Sequence, residues 1–178
     1  MTIKPYIPPQ YQRHTRVFDN KESKKFPPKR SWDHTIELKP GAPAMLISQN
    51  IWLSQSELGE LQKFLKEHEE RGTICPSKSP YAAAFFFIKK KNGKLCPVQD
   101  YRPVNEWMIK NRYPLPLIPQ LINWLRGCML FMKFDIKWGY NNVQIKEGDE
   151  WKAVFTTNQG LYEPTVMFFG LTNSLAMF

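Results

Sequence analysis

The segment AAAFFFIKKKNGKLCPVQDYR, residues 82–102, limits the possible folds more than any other stretch of the chain. An uninterrupted apolar run from Ala82 to Ile88 meets three lysines, the pair Asn92-Gly93, and a second, weaker strand-forming run. Asn-Gly is favoured where the central residues of a tight turn need positive φ, so the segment predicts a β-hairpin with a basic tip. Ala82–Ile88 is the longest apolar run, far short of the roughly 20 residues that cross a bilayer. No basic-apolar-small leader opens the chain, so no membrane partner is expected and the location is expected to be intracellular, in cytoplasm or nucleus.

A helix should precede the hairpin. In SQSELGELQKFLKEHEERG, Ser54 and Glu57 have the spacing of a capping box, Leu58, Leu61, Phe64 and Leu65 make one stripe, and Gly72 ends it. After the hairpin, PQLINWLRG predicts a short helix from Pro119 to Gly127. In Leu130–Ile136 the side chains Leu130, Met132, Phe134 and Ile136 alternate with Phe131, Lys133 and Asp135, which predicts a strand. Further strands are expected over Val143–Lys146, Trp151–Thr157 and Leu161–Met167, separated by EGDE and NQG turns. LTNSLAMF reads as helix-capping residues and a first turn, and a lone turn is unstable in water, so more protein is expected to follow it. The fold class is α+β. Residues 1–44, rich in proline and charge (KPYIPPQYQ, KKFPPKR), are expected to be an extended arm or linker, with the folded unit over 45–178.

The chain carries a formal net charge of +9, and its charge is uneven. Residues 78–112 hold eight Lys/Arg against Asp100 and Glu106, and residues 1–39 hold nine against four, while the rest is slightly acidic. Such a surface suits an anionic partner, nucleic acid being the commonest inside cells; a solvated basic surface is the alternative. Cys75, Cys96 and Cys128 are odd in number and widely spaced, without C-x-x-C or Cys/His ligand spacing, so neither a disulfide framework nor a zinc site is expected.

Five blocks in order, SPYAAAFFFIKKKNGK, VQDYRPVNEW, IKNRYPLP, FDIKWGYNNVQIKEGDEWKAVF and FGLTNSLAMF, closely resemble the reverse transcriptase of gypsy-type long-terminal-repeat retrotransposons, from about Asp33 onward. The resemblance implies a right-hand polymerase, of which this chain holds the arm, the fingers and the first part of a split βαβ, ferredoxin-like palm. It implies an RNA or DNA primer-template and a deoxynucleoside triphosphate as partners, and Mg²⁺ as cofactor.

The resemblance also assigns residues. Nucleotidyl transfer uses two metal ions about 3.5–4 Å apart, which need rigidly held carboxylates. Asp135 matches the first catalytic aspartate, and the carbonyl of Ile136 another metal ligand. Tyr140 matches the residue beneath the sugar of the incoming nucleotide, which refuses a ribose 2′-hydroxyl by contact. Lys90, among Lys89-Lys90-Lys91, matches a fingers lysine that meets the triphosphate. Arg102 and Asn105 sit where the family touches the template and braces the fingers, and Phe169 and Gly170 lie beside the nucleotide pocket.

Several positions depart from the pattern. The Tyr-x-Asp-Asp hairpin, which supplies two further carboxylates, does not occur in the 178 residues, so the chain alone is expected not to polymerise. Cys96 stands where an arginine usually contacts the triphosphate, and a thiol offers neither fixed charge nor a bidentate fork. Cys75 replaces a frequent arginine, Leu175 a proline and Met177 a threonine. Each can arise by one C-to-T change in its codon, so a transposon copy decayed by cytosine deamination is the expectation these departures support. A remnant that only binds nucleic acid, weakly and without sequence preference, is the alternative function.

Overall fold

A computed structural model describes residues 8–18, 25–112, 117–133, 136 and 138–178. Its centre is one long strand, β3 (Tyr81–Lys89), whose first residues, Tyr81 through Phe85, are all buried. Three consecutive alanines make this possible, because small side chains let neighbours close over both faces of the sheet. The start of β3 pairs in parallel with β1 (Leu46–Ile47) and with β5 (Phe155–Thr157), while its distal part pairs antiparallel with β4 (Leu95–Asp100). β5 continues antiparallel into β6 (Gly160–Pro164), and β6 into β2 (Ile74–Pro76), giving a six-stranded sheet in the order β1-β3-β5-β6-β2 with β4 beside β3. The hairpin expected at Asn92-Gly93 is present. Lys90 and Lys94 close it with an N–H to carbonyl bond of 2.8 Å, and Gly93 takes φ +79°.

Helix α1 (Gln55–Glu70) starts as its sequence dictates: the Ser54 hydroxyl accepts the Glu57 N–H, and the Glu57 carboxylate accepts the Ser54 N–H at 2.8 Å. Its apolar stripe buries Leu61 and Leu65 against Phe85 and Phe155, with Phe64 packed at the margin. Two phenols anchor the sheet from within: Tyr101 donates to the carbonyl of Ala153 and Tyr81 to that of Pro43, at 2.8 and 2.7 Å. Full burial holds the Tyr101 hydroxyl well above its ordinary titration range. Helices α2 (Arg102–Trp107), α3 (Ile118–Leu125) and α4 (Ser174–Met177) are short, and α4 is the single turn expected from the sequence.

Part of the proline-rich stretch belongs to this core. Ile36 and His34 are fully buried, and the segment runs between two distant parts of the chain. His34 exchanges backbone bonds with Gln144 and Lys146, the Ile36 N–H donates to the Asp149 carboxylate, and Leu38 bridges Met108. Residues 33–38 are therefore built into the fold, although composition reads them as part of an arm.

Four expected strands differ, the one over Leu161–Met167 because β6 ends at Pro164. Residues 130–133 form none: Met129, Leu130 and Met132 are more than four-fifths exposed. A period-2 pattern selects a face but not a partner, and the described strands are already paired with one another. The reading over Trp151–Thr157 narrows to β5, because Glu150–Ala153 is a 3-10 turn that sets Trp151 edge-on to Tyr81 at 5.1 Å and aims the Ala153 carbonyl at Tyr101. Val143–Lys146 contributes only isolated bridges, His34 to Ile145 and Gln144 to Val166. β2, by contrast, went unread because its run ICP is only three residues long.

Candidate nucleotide and nucleic-acid site

Tyr140 opens a 3-10 turn, Tyr140–Asn142, and its ring lies between two others. The Phe169 ring is 4.4 Å away, and the Phe178 ring 5.1 Å away and nearly parallel. The close fit requires Gly139: a Cβ there would come within 3.0 Å of the Phe178 ring. These aromatics line a cavity of about 400 Å³ with Ile136, Trp138 and Asn141. A second cavity, about 340 Å³, shares Asn141 and Phe169 with the first and extends to His68 on α1 and to Cys96 and Gln99 on β4. A groove thus runs from the Tyr140 turn to the hairpin strand.

Gly170 sits at the bend of that groove with φ +106°, a region closed to side-chain-bearing residues, and a Cβ would meet the Gln99 carbonyl and the Tyr101 ring at 3.3 Å. Asn105 holds the bend. Its Nδ2 donates to the Gly170 carbonyl and its Oδ1 accepts the Thr172 N–H. Asn173 makes the equivalent clasp one turn on, donating to the Ile109 carbonyl and accepting the Asn111 N–H, both at 2.9 Å.

The sequence-assigned residues fall into two groups. Tyr140, Phe169, Gly170 and Asn105 converge, and Ile136 lines the same cavity with its side chain exposed. Lys90 lies on the exposed tip of the hairpin, where its backbone closes the turn. Arg102 grips Asp100 through Nε and Nη2 at 2.8 and 2.6 Å, so a phosphate there would compete with a carboxylate already bound. That pairing holds the Asp100 carboxyl below its usual range. Asp135 lies outside the described residues.

Among the described residues no three His, Cys, Asp or Glu side chains converge as metal ligands. With Asp135 outside them, the groove as described does not by itself offer the donor set that a Mg²⁺ pair needs. No described helix is long and apolar enough to cross a membrane.

Sequence reasoning missed the turn's other support. Trp138 adopts φ +61°, rare for a bulky residue, and the Arg71 guanidinium lies 3.7 Å above the centre of its indole. Beside them His68 is buried, its Nδ1 2.8 Å from the Thr73 hydroxyl. Burial, and then the neighbouring Arg71 charge, depress the His68 pKa to about 4. No periodicity or motif in the sequence marks such a cluster.

The pattern described as reverse transcriptase (RNA-dependent DNA polymerase) matches residues 88–178, just over half of the chain. The chain belongs to that family, and its fold is the fingers and part of the palm of a reverse transcriptase. Its relatives include retrotransposon proteins, in keeping with the long-terminal-repeat resemblance: the Transposon Tf2-3 and Tf2-7 polyproteins of Schizosaccharomyces pombe are each 30% identical over 175 residues. The match covers 98% of this chain and 13% of each polyprotein, so the chain spans a small part of their length. In fold it is similar to the foamy viral protease-reverse transcriptase in complex with dsDNA, with a TM-score of 0.67 at 19% identity over 82% of this chain and 30% of that one. The Prototype Foamy Virus Protease-Reverse Transcriptase CSH mutant gives 0.66 at 17% identity, covering 98% of this chain and 24% of that one.

Proposed function

We propose that this chain forms the nucleotide-receiving half of an RNA-directed DNA polymerase, in which the groove beside Tyr140 takes the sugar and base of a deoxynucleoside triphosphate. The observation that carries the reading is the aromatic floor: Tyr140 fixed between Phe169 and Phe178, in a groove that continues to the basic hairpin. A rigid ring beneath the sugar refuses a 2′-hydroxyl by occupying its space. Phe169 and Gly170 border the base, and Lys90 reaches the triphosphate from the hairpin tip. Asp135 and the Ile136 carbonyl would hold Mg²⁺, which supplies charge stabilisation at the transferred phosphoryl group. Arg102 would meet the template after exchanging its hold on Asp100, whereas Asn105 acts as a brace, because both ends of its amide are engaged with the Gly170 bend.

The 178 residues contain one candidate catalytic carboxylate and no Tyr-x-Asp-Asp, so this chain alone does not extend a primer. A second reading, weak nucleic-acid binding without sequence preference, is favoured by the exposed lysines of the hairpin. The foamy viral neighbour, solved with dsDNA, supports a nucleic-acid partner for either reading. An intracellular site of action fits both.

Fluorescence anisotropy with an RNA–DNA primer-template, with and without deoxynucleotide, tests the proposal. Binding that weakens steeply with salt and tightens with the complementary deoxynucleotide, more than with its ribonucleotide, supports the nucleotide site. Salt-sensitive binding indifferent to nucleotide leaves the second reading, and no binding at low salt eliminates both.

A further inference from the structure

We infer that Arg71 and Trp138 are positioning residues for Tyr140: their stack ties the turn that carries the aromatic floor to the end of helix α1. The consequence for nucleotide selection rests on the function proposed above; the geometry does not.

At φ +61° Trp138 occupies a left-handed conformation that a bulky side chain disfavours, and such conformations persist only where the surroundings over-determine them. Here the surroundings are the last turn of α1. The guanidinium of Arg71 lies 3.7 Å above the indole centre, inside the range of a cation–π contact. Its Nε and Nη1 are buried without hydrogen-bond partners among the described residues, so the indole face is the group in direct contact with the guanidinium, with the Glu67 carboxylate acting on it through space. The His68 ring stands against the same indole, 5.6 Å away at 64°.

His68 is itself fixed. The Thr73 hydroxyl donates to the His68 carbonyl, so it accepts from the imidazole, and the proton sits on Nδ1. Burial and the Arg71 charge hold its pKa near 4, so at neutral pH the ring is uncharged beside Arg71 and adds no repulsion. Trp138 is held by Arg71 and His68, and two residues on Tyr140 is held by Phe169 and Phe178. Between them Gly139 leaves no slack, since the Phe178 ring already approaches the position of a Cβ. Trp138 and Tyr140 line one cavity, so a displacement of the indole moves the floor of the groove.

The test uses the whole chain carrying 3-fluorotyrosine, with the Tyr140 ¹⁹F resonance assigned through Tyr140→Phe. Tyr140 lies against two rings and should resonate away from free fluorotyrosine. Arg71→Met and Trp138→Ala are expected to move this resonance toward the free position, while the core tyrosines Tyr81 and Tyr101 keep theirs; Arg71→Lys, which retains a cation, should restore most of the shift. An unchanged Tyr140 resonance in folded Arg71→Met overturns the inference. So does an equal movement of Tyr81 and Tyr101, which would assign the pair to general packing. If Arg71→Met or Trp138→Ala fails to fold, Trp138→Phe and Arg71→Gln, each expected to move it, decide by the same resonance. No ligand enters the readout, so absence of nucleotide binding would sink the functional reading and leave this one standing.

Discussion

Asn105 and Gly170 are 65 residues apart and joined by one side-chain amide, 2.7 Å from Nδ2 to the glycine carbonyl, with the Thr172 N–H returning to Oδ1 at 2.9 Å. The clasp fixes the bend that presents Phe169 to Tyr140. Asn105→Ala removes both bonds and should lower unfolding free energy by about 1–2 kcal/mol, read from urea titration. Asn105→Asp keeps the acceptor but sets a carboxylate oxygen against the Gly170 carbonyl, and should cost at least as much at neutral pH. A loss within about 0.5 kcal/mol for both would show that the bend holds without the clasp.

Two glycines with positive φ should respond differently to one methyl group. At Gly93, in the hairpin turn, a Cβ meets nothing within 4 Å, so Gly93→Ala costs only backbone strain, about 1 kcal/mol. At Gly170 the same Cβ presses on the Gln99 carbonyl and the Tyr101 ring at 3.3 Å, so Gly170→Ala should cost clearly more. Thermal melts of the two variants, side by side, give the comparison; equal losses would mean the groove accommodates the methyl group.

Acid should weaken the fold through its buried histidines. Burial depresses His34 to about 4, against a smaller opposing pull from Asp149, and His68 to about 4, with Arg71 adding to the effect. The unfolded chain then binds protons that the fold excludes. This stability is present in full above pH 6.5, the ordinary histidine value, and falls as pH drops toward 4, by about 3 kcal/mol per histidine. Urea midpoints between pH 7 and pH 4.5 should decline, and His34→Leu should remove about half of the slope. It should not weaken the protein at pH 7, since neither His34 ring nitrogen has a hydrogen-bond partner to lose among the described residues. A flat profile would contradict the assignment.

The hairpin and Cys96 give a charge prediction. Lys90→Gln should reduce the salt slope of primer-template binding by about one if its ammonium sits on a phosphate. Cys96→Arg introduces a fork at the edge of the 340 Å³ cavity and should tighten nucleotide binding about tenfold, the worth of one charge-assisted contact. Titration of labelled deoxynucleotide against both variants decides, and an unaltered affinity for Cys96→Arg would place the phosphates elsewhere.

What the sequence made legible was local chemistry that also agreed with the tertiary fold. The Ser54/Glu57 capping box and the Asn92-Gly93 turn are complete within a few residues, so propensity and structure coincide there. The convergence of Tyr140, Phe169 and Gly170 was legible only through the family pattern, since nothing local links positions so far apart. Leu130–Met132 failed for the converse reason: alternation named a strand, but a ladder needs a neighbour, and no described segment supplies one. His68, Arg71 and Trp138 were illegible because each alone reads as an ordinary helix or turn residue.

The seating of Ile36 has a consequence for the order in which the protein can mature. Its N–H is capped by Asp149, 113 positions later, and its carbonyl by Lys152, 116 positions later. Closing so long a loop costs little more than closing one half its length, about 0.6 kcal/mol, but the closure cannot begin before the distant residues exist. At about 5–20 residues per second, a ribosome leaves the His34–Ile36 segment without its partner for several seconds. During that interval an extended segment with unpaired backbone groups stands open to any other strand, so the yield of folded protein should depend on elongation rate and on chaperones that shield nascent chains.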